Sequence, residues 1–281
     1  MKTARIIPRL DIKGPNLVKG IHLEGLRVLG KPADFAQYYY EQGADELMFV
    51  DVVASLYDRN SLHDIISETA KQIFIPITVG GGIRSLKDIK SMLRIGADKV
   101  SINTAAIKRP DFIREASEEF GSSTIVVTIE AIKNADGKYY AFIDNGREQT
   151  GIEVVEWAKK AESLGAGEIV ITSVDREGTG KGLDFELVSS IYDAVSLPVI
   201  AHGGIGSMSD VEKFLELNMA DAVALGSALH YEALTNFVLE TENRKEGNID
   251  FLLSGGQGNN SASFKLADLK EFLHSKSIYC R

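Results

Sequence analysis

Short apolar, β-branched runs recur along the chain, separated by amphipathic stretches. Eight runs read as strands: Ile6 to Ile12, Glu46 to Val53, Ile75 to Val79, Lys99 to Ile102, Thr124 to Ile129, Glu168 to Thr172, Pro198 to Ala201 and Ala222 to Leu225. Continuous apolarity suits strands covered on both faces, whereas a half-exposed strand alternates apolar with polar positions. The stretches between them, such as Pro32 to Gln42 and Ile152 to Leu164, carry helical spacing, so the chain reads as parallel βα units. Eight such units in series close into a (β/α)8 barrel, an α/β fold of the TIM type.

The second half of the pattern echoes the first. Ile75-Pro76-Ile77-Thr78-Val79-Gly80-Gly81-Gly82-Ile83-Arg84-Ser85 resembles Leu197-Pro198-Val199-Ile200-Ala201-His202-Gly203-Gly204-Ile205-Gly206-Ser207. Gly43-Ala44-Asp45-Glu46 matches Gly165-Ala166-Gly167-Glu168, and Ala97-Asp98 matches Ala220-Asp221. The offset, roughly 120 residues, is far longer than a solenoid repeat, so the repeated unit is a four-stranded half-barrel and two related sites are expected. Regularity fails near the end. The polar stretch from about 240 to 263, with Gly255-Gly256-Gln257-Gly258, reads as an insertion after strand eight, and Lys265 to Ser275 reads as a last helix. An insertion there borders the active-site rim and is a lid, a partner contact or a disordered surface loop.

Composition narrows the function. With 281 residues, 44% of them hydrophobic, one domain with a large core is expected over residues 1–281. A net charge of −9 disfavours broad nucleic-acid binding, which needs clustered Lys and Arg. One cysteine, Cys280, leaves no disulfide framework and fits a cytoplasmic protein. The N-terminal stretch lacks a signal-peptide core and no run is long enough to cross a membrane, so no membrane association is expected.

Three constellations carry chemistry. The glycine runs Gly80-Gly81-Gly82 and Gly203-Gly204 each follow a strand and precede a Ser that can cap a helix. Backbone N–H groups approach an anion closely at such turns, so each run is a phosphate cradle or a plain turn. Duplication favours two phosphates on one substrate, shared with Asn103 and Thr104 in one half and with Gly226 and Ser227 in the other. Acidic residues end three strands: Asp11, Asp51 and Glu130. A carboxylate there is suited to acid–base work, and Asp11 and Glu130, at the starts of the two halves, form the stronger pair. Arg5, Glu46, Lys99 and Glu168 mark the opposite strand ends, as a stabilising set or as an ionic ring. The histidines show no metal-ligand spacing, and neither metal nor cofactor is expected. His22, His63, His230 and His274 read as loop or helix-surface residues. His202, beside the second glycine run, is a substrate contact or a packed loop residue.

The strings Arg5-Ile-Ile-Pro-Arg-Leu-Asp11, Val79-Gly-Gly-Gly-Ile-Arg-Ser85, Gly96-Ala-Asp-Lys-Val-Ser-Ile-Asn103 and Asp175-Arg-Glu-Gly-Thr179 resemble, across nearly the whole chain, the cyclase subunit of imidazole glycerol phosphate synthase, HisF. The resemblance implies a barrel of the ribulose-phosphate-binding type. It implies a glutaminase (HisH-like) partner in a heterodimer that supplies ammonia to split and cyclise a bisphosphorylated ribulosyl nucleotide. It further implies catalytic roles for Asp11 and Glu130 and a mobile loop bearing Lys19. Phosphate sites are implied at Gly82, Asn103 and Thr104, and at Gly178, Gly204, Gly226 and Ser227, with Asp51, Glu177 and His202 beside them. Arg5, Glu46, Lys99 and Glu168 match the ammonia gate, and Asp98 a residue facing the glutaminase. Four positions depart from the pattern: the family usually carries Asp at Glu130, Cys at Arg9, Asp at Glu177 and Ser at His202. Shifting a catalytic group by about 1 Å can cost on the order of 100-fold in rate. Such departures resemble barrels encoded with surface-polysaccharide genes, so a HisF-like ammonia-channelling subunit for sugar amidation is the alternative.

Overall fold

The computed structural model describes residues 3–54, 62–234 and 263–281. Within them twelve strands form one sheet. In chain order they are β1 (Arg5–Lys13), β2 (Asn16–Ile21), β3 (Glu24–Gly30), β4 (Leu47–Asp51), β5 (Ile77–Gly80), β6 (Lys99–Ile102), β7 (Ile125–Lys133), β8 (Tyr139–Ile143), β9 (Glu148–Glu153), β10 (Glu168–Ser173), β11 (Val199–His202) and β12 (Ala222–Leu225). Eight of them, β1, β4, β5, β6, β7, β10, β11 and β12, pair in parallel, and β12 returns to β1 with Ala222 opposite Arg5. Closure leaves the barrel no free edge. The eight expected strands are these eight. Ile75 and Pro76 fall outside β5, in keeping with a proline that has no N–H to give a ladder.

The structure adds two antiparallel hairpins that the apolar pattern did not show. β2–β3 extends β1 and β8–β9 extends β7. Each half-barrel therefore begins with a long strand bearing a hairpin, a symmetry expressed in topology and hardly in sequence. The expected insertion at about 240–263 lies, apart from Ser263, outside the described residues. The last helix runs Leu266–Ser275 and tucks Leu266, Leu269 and Leu273 into the core. Near the start of β1, Ala4 bridges to Cys280, and Lys270 Nζ donates to Gly43 O (2.6 Å) and to Asp45 (2.7 Å).

Two apolar regions hold the barrel. The larger lies between strands and helices and includes Phe35, Phe49, Phe112, Trp157 and Phe214. The smaller lies inside the barrel: Ile7, Met48, Val126, Val170, Ile200, Ala222 and Ala224. Helix starts repeat the twofold plan. Ser85 caps the helix Leu86–Arg94 by accepting from Asp88 N, Ser207 caps Met208–Glu216 by accepting from Asp210 N, and both aspartates return a bond to the cap backbone. Both serines after the glycine runs are thus caps, and each capping box satisfies two otherwise orphaned N–H groups. Replacing either serine by alanine is expected to cost about 1 kcal/mol. Because the caps lie in different half-barrels, the double variant is expected to lose about 2 kcal/mol. Urea denaturation of the two single variants and the double variant checks both values.

Candidate active site

Alternation along a strand turns every second side chain to the barrel axis, which stacks the interior in layers. On β1 the inward residues are Arg5, Ile7, Arg9 and Asp11; β7 offers Val126, Thr128 and Glu130, and β10 offers Glu168, Val170 and Thr172. Pairing fixes the twofold relation. Ile6 lies opposite Val223 and Ile125 opposite Val100, so Asp11 and Glu130 each stand five residues beyond an equivalent isoleucine.

At the strand starts the four expected residues close a ring. Arg5 Nη1 donates to Glu46 Oε2 (3.0 Å) and Arg5 Nη2 contacts Glu168 Oε1 (2.6 Å). Lys99 Nζ lies 3.0 Å from Glu46 Oε2 and 2.8 Å from Glu168 Oε2. Thr78 Oγ1 donates to Glu46 Oε1 (2.6 Å). Every charge has two opposite neighbours, so the ring is satisfied although largely buried. Above it lies the small apolar cluster, and above that the polar basin. Asp98, on the ring's face, accepts from Ile77 N (2.8 Å) just as Asp221 accepts from Val199 N (2.9 Å). The structure thus gives Asp98 a strand-holding role that the other half repeats.

At the strand ends, the basin centres on buried charges. Asp11 Oδ1 accepts from Arg9 Nε (2.9 Å) and Oδ2 from Lys19 Nζ (3.0 Å), while Lys19 also bonds Glu177. Burial alone would raise the Asp11 pKa, but the two cations outweigh it and hold it well below the usual carboxylate range. Lys19 loses stability as a cation by burial and regains more from Asp11 and Glu177, so its pKa is raised. Lys19 is therefore not in a loop: it sits on β2, buried, because β2–β3 folds back onto β1. Glu130 differs. Burial pushes its carboxyl up to about 7, against the opposing pull of the Gly146 N–H (2.8 Å) and Arg9.

Glu130, Arg9 and Asp51 line a cavity of about 750 Å³ with Gly82, Asn103 and Thr104. Asp11 does not line it, since Arg9 and Lys19 cover its carboxylate; the expected acidic pair is opposed across the barrel but does not share an open cavity. Asp51 Oδ1 accepts from Val53 N (3.0 Å), holding the turn after β4. The second glycine site is nearly filled. Its space is about 10 Å³, bounded by Lys19, Glu177, Gly178, His202, Gly204, Gly226 and Ser227. The backbone justifies both glycine runs: Gly81 has φ +91°, and a Cβ on Gly204 (φ +100°) would lie 2.2 Å from Gly182 O. Asn103 and Gly226, at equivalent points in the two halves, share unusual dihedrals (−127°, −84° and −118°, −97°).

Several residues of the site gave no signal in the sequence. Arg9, visible in the sequence only as a departure from the family pattern, bonds Asp11 on its own strand (2.9 Å) and reaches across to Thr172 (3.2 Å) and His202 (3.2 Å). Asp144, Asn145, Arg84, Lys108 and Arg109 also line the larger cavity. Asp144-Asn145-Gly146 is a turn signal that could have marked the β8–β9 hairpin. His230 is a correction: it is fully buried, with Nε2 2.9 Å from Arg9 O and Nδ1 2.6 Å from Tyr39 Oη, and burial pushes its pKa down to about 3. His202 is buried as well. Among the described residues, no cluster of His, Cys, Asp or Glu could hold a metal, and no helix is long and apolar enough to cross a membrane.

Residues 5–235 match the family described as "Histidine biosynthesis protein". The chain is 56% identical over 210 residues to the imidazole glycerol phosphate synthase subunit HisF of Legionella pneumophila, covering 75% of this chain and 99% of that one. This chain belongs to the HisF family. The HisF of Lactococcus lactis subsp. cremoris (strain SK11) is 48% identical over 236 residues, 84% of this chain and 91% of its own, and that of subsp. lactis (strain IL1403) is 47% identical over the same shares. The resemblance seen in the motifs thus holds across the HisF barrel, and the relatives are named as subunits of a larger enzyme.

The Glu130 environment of this HisF relative has a consequence for stability. Its folded pKa of about 7 exceeds the ordinary 4.5, so the folded state holds a proton that the unfolded chain has released between those values. Stability from this group is full below about pH 4.5 and is lost as pH rises through about 7, by up to about 3 kcal/mol. Glu130→Gln removes the ionisable group. It is expected to melt above the unmodified protein at pH 8 and level with it near pH 5; calorimetry at the two pH values checks this.

Proposed function

We propose that this HisF-family chain is the cyclase subunit of a glutamine-dependent imidazole glycerol phosphate synthase. It uses ammonia from a glutaminase partner to convert a bisphosphorylated ribulosyl aminoimidazole carboxamide nucleotide into imidazole glycerol phosphate and aminoimidazole carboxamide ribotide. One arrangement carries the reading: a closed ring of four charges at the strand starts, an apolar interior above it, and a polar basin with two glycine cradles at the strand ends, all on one axis. A small neutral molecule can cross the apolar layer at low cost, whereas an ion cannot.

In this reading the cradle at Gly82, Asn103 and Thr104 takes one phosphate and the cradle at Gly178, Gly204, Gly226 and Ser227 takes the other. The second opens when Lys19 and the β2–β3 hairpin make room. Glu130 is the proton carrier, because its carboxyl changes state near neutral pH. Asp11 stays an anion while Arg9 and Lys19 hold it, so it favours the cationic nitrogen that forms when ammonia adds to the carbonyl. It accepts a proton only after Lys19 withdraws. The glutaminase meets the face that carries the ring. Of the exposed large hydrophobics among the described residues, Phe74, Leu217 and Tyr279 lie in the turns entering strands or beside the start of β1, on that same face. The sugar-amidating alternative is not favoured, since the relatives carry the imidazole glycerol phosphate synthase name. We place the assembly in the cytoplasm.

Purified protein mixed with the bisphosphate intermediate and ammonium salt is expected to consume the intermediate; folded protein that leaves it intact sinks the reading. Asp11→Asn and Glu130→Gln are each expected to lower turnover by at least about 100-fold. With free ammonia held constant, the rate of the unmodified protein is expected to fall as pH rises through about 7, because Glu130 then loses the proton it donates. Arg5→Ala opens the ring. It is expected to lower glutamine-driven turnover while leaving turnover with added ammonium near normal, as a paired assay would read.

A further inference from the structure

The two cradles differ at one equivalent point. The first half has Gly80, paired with Ser101, where an added Cβ would meet Ser101 Oγ at 2.2 Å. The second half has His202, paired with the smaller Ala224. His202 Nδ1 lies 3.2 Å from Arg9 Nη1 and 3.2 Å from Thr172 Oγ1. A guanidinium has donors and no acceptor, so Nδ1 must receive the Arg9 bond with its lone pair. A proton on Nδ1, in the other neutral tautomer or in the charged ring, would set two N–H groups head to head. The ring proton is therefore on Nε2, on the side away from Arg9.

We propose that Arg9 is a positioning residue that fixes His202 as a neutral Nε2–H donor to a phosphate-ester oxygen in the second cradle. The inference rests on reading that cradle as a phosphate site. His202 borders it beside Gly204, Gly226 and Ser227, and no bond among the described residues uses its Nε2. Arg9 is itself held at both ends. Its Nε donates to Asp11, and its carbonyl accepts from His230 Nε2, whose tautomer follows from Tyr39 Oη donating to Nδ1. The charged and titratable groups facing His202 are Arg9, Lys19, Asp11 and His230, with Glu177 across the cradle. Burial, then Arg9 and Lys19, keep the ring uncharged. The donor is thus independent of pH near neutrality, unlike an ordinary histidine.

Long-range ¹H–¹⁵N spectra of protein labelled with ¹⁵N-histidine, assigned with His202→Gln, test this. The unmodified protein is expected to show one Nε2–H tautomer for His202, unchanged from about pH 6 to 8; an Nδ1–H signal or a titrating ring overturns the proposal. Thr172→Val, which keeps Arg9, is expected to keep that tautomer. Arg9→Met frees Nδ1 to donate to Thr172, and is expected to give mixed tautomers or a titrating ring. Inorganic phosphate, followed on the amides of Gly204 and Gly226, is then expected to bind roughly tenfold more weakly. Arg9→Met with the original single tautomer, or no phosphate response at Gly204 and Gly226 in the unmodified protein, would also overturn it. None of these readouts uses turnover, so failure of the cyclase reaction is told apart from failure of this assignment.

Discussion

A strand in a closed barrel must present every second side chain to the axis, and β1 shows what that constraint does here. Arg5, Ile7, Arg9 and Asp11 follow one another up the interior as a ring member, an apolar wall, a crossing cation and a clamped anion. The parallel register thereby stacks a charged ring, an apolar layer and a polar basin on one axis. The other strands complete each layer at the same height, because the pairing register allows no slip without turning the buried set outward.

The same constraint explains what could be read in advance. Strands covered on both faces announce themselves as apolar runs, so the eight barrel strands stood out, and the duplicated glycine turns marked the rim. The ring residues and both carboxylates follow from position on those strands and from family motifs. The hairpins did not show: β9 is Glu-Gln-Thr-Gly-Ile-Glu, largely exposed and polar, and β2 places Lys19 inward where a lysine reads as loop. His230 was misread because its burial depends on partners far along the chain, Tyr39 and the Arg9 carbonyl. Arg9 was legible only as a departure, since its three partners lie on β1, β10 and β11, and no local spacing brings them together.

The halves share capping boxes, rim dihedrals and hairpin-bearing first strands, yet their cradles are unlike. Gly80 leaves the first open toward the larger cavity, while His202 and Lys19 occupy the second. Asp11 and Glu130 are likewise equivalent in position and opposite in state, one neutralised by two cations and the other proton-bearing near pH 7. A duplicated frame thus carries two chemically distinct ends.

The hairpins also touch each other. Asn145, beside the Gly146 that supports Glu130, donates to Leu23 O (3.0 Å), and Leu23 N donates to Glu177, which holds Lys19. A movement that frees the second cradle therefore pulls on the turn that tunes the acid at the first. The seat of Lys19 at one end of the barrel mouth and the support of Glu130 at the other are thus joined by one chain of bonds.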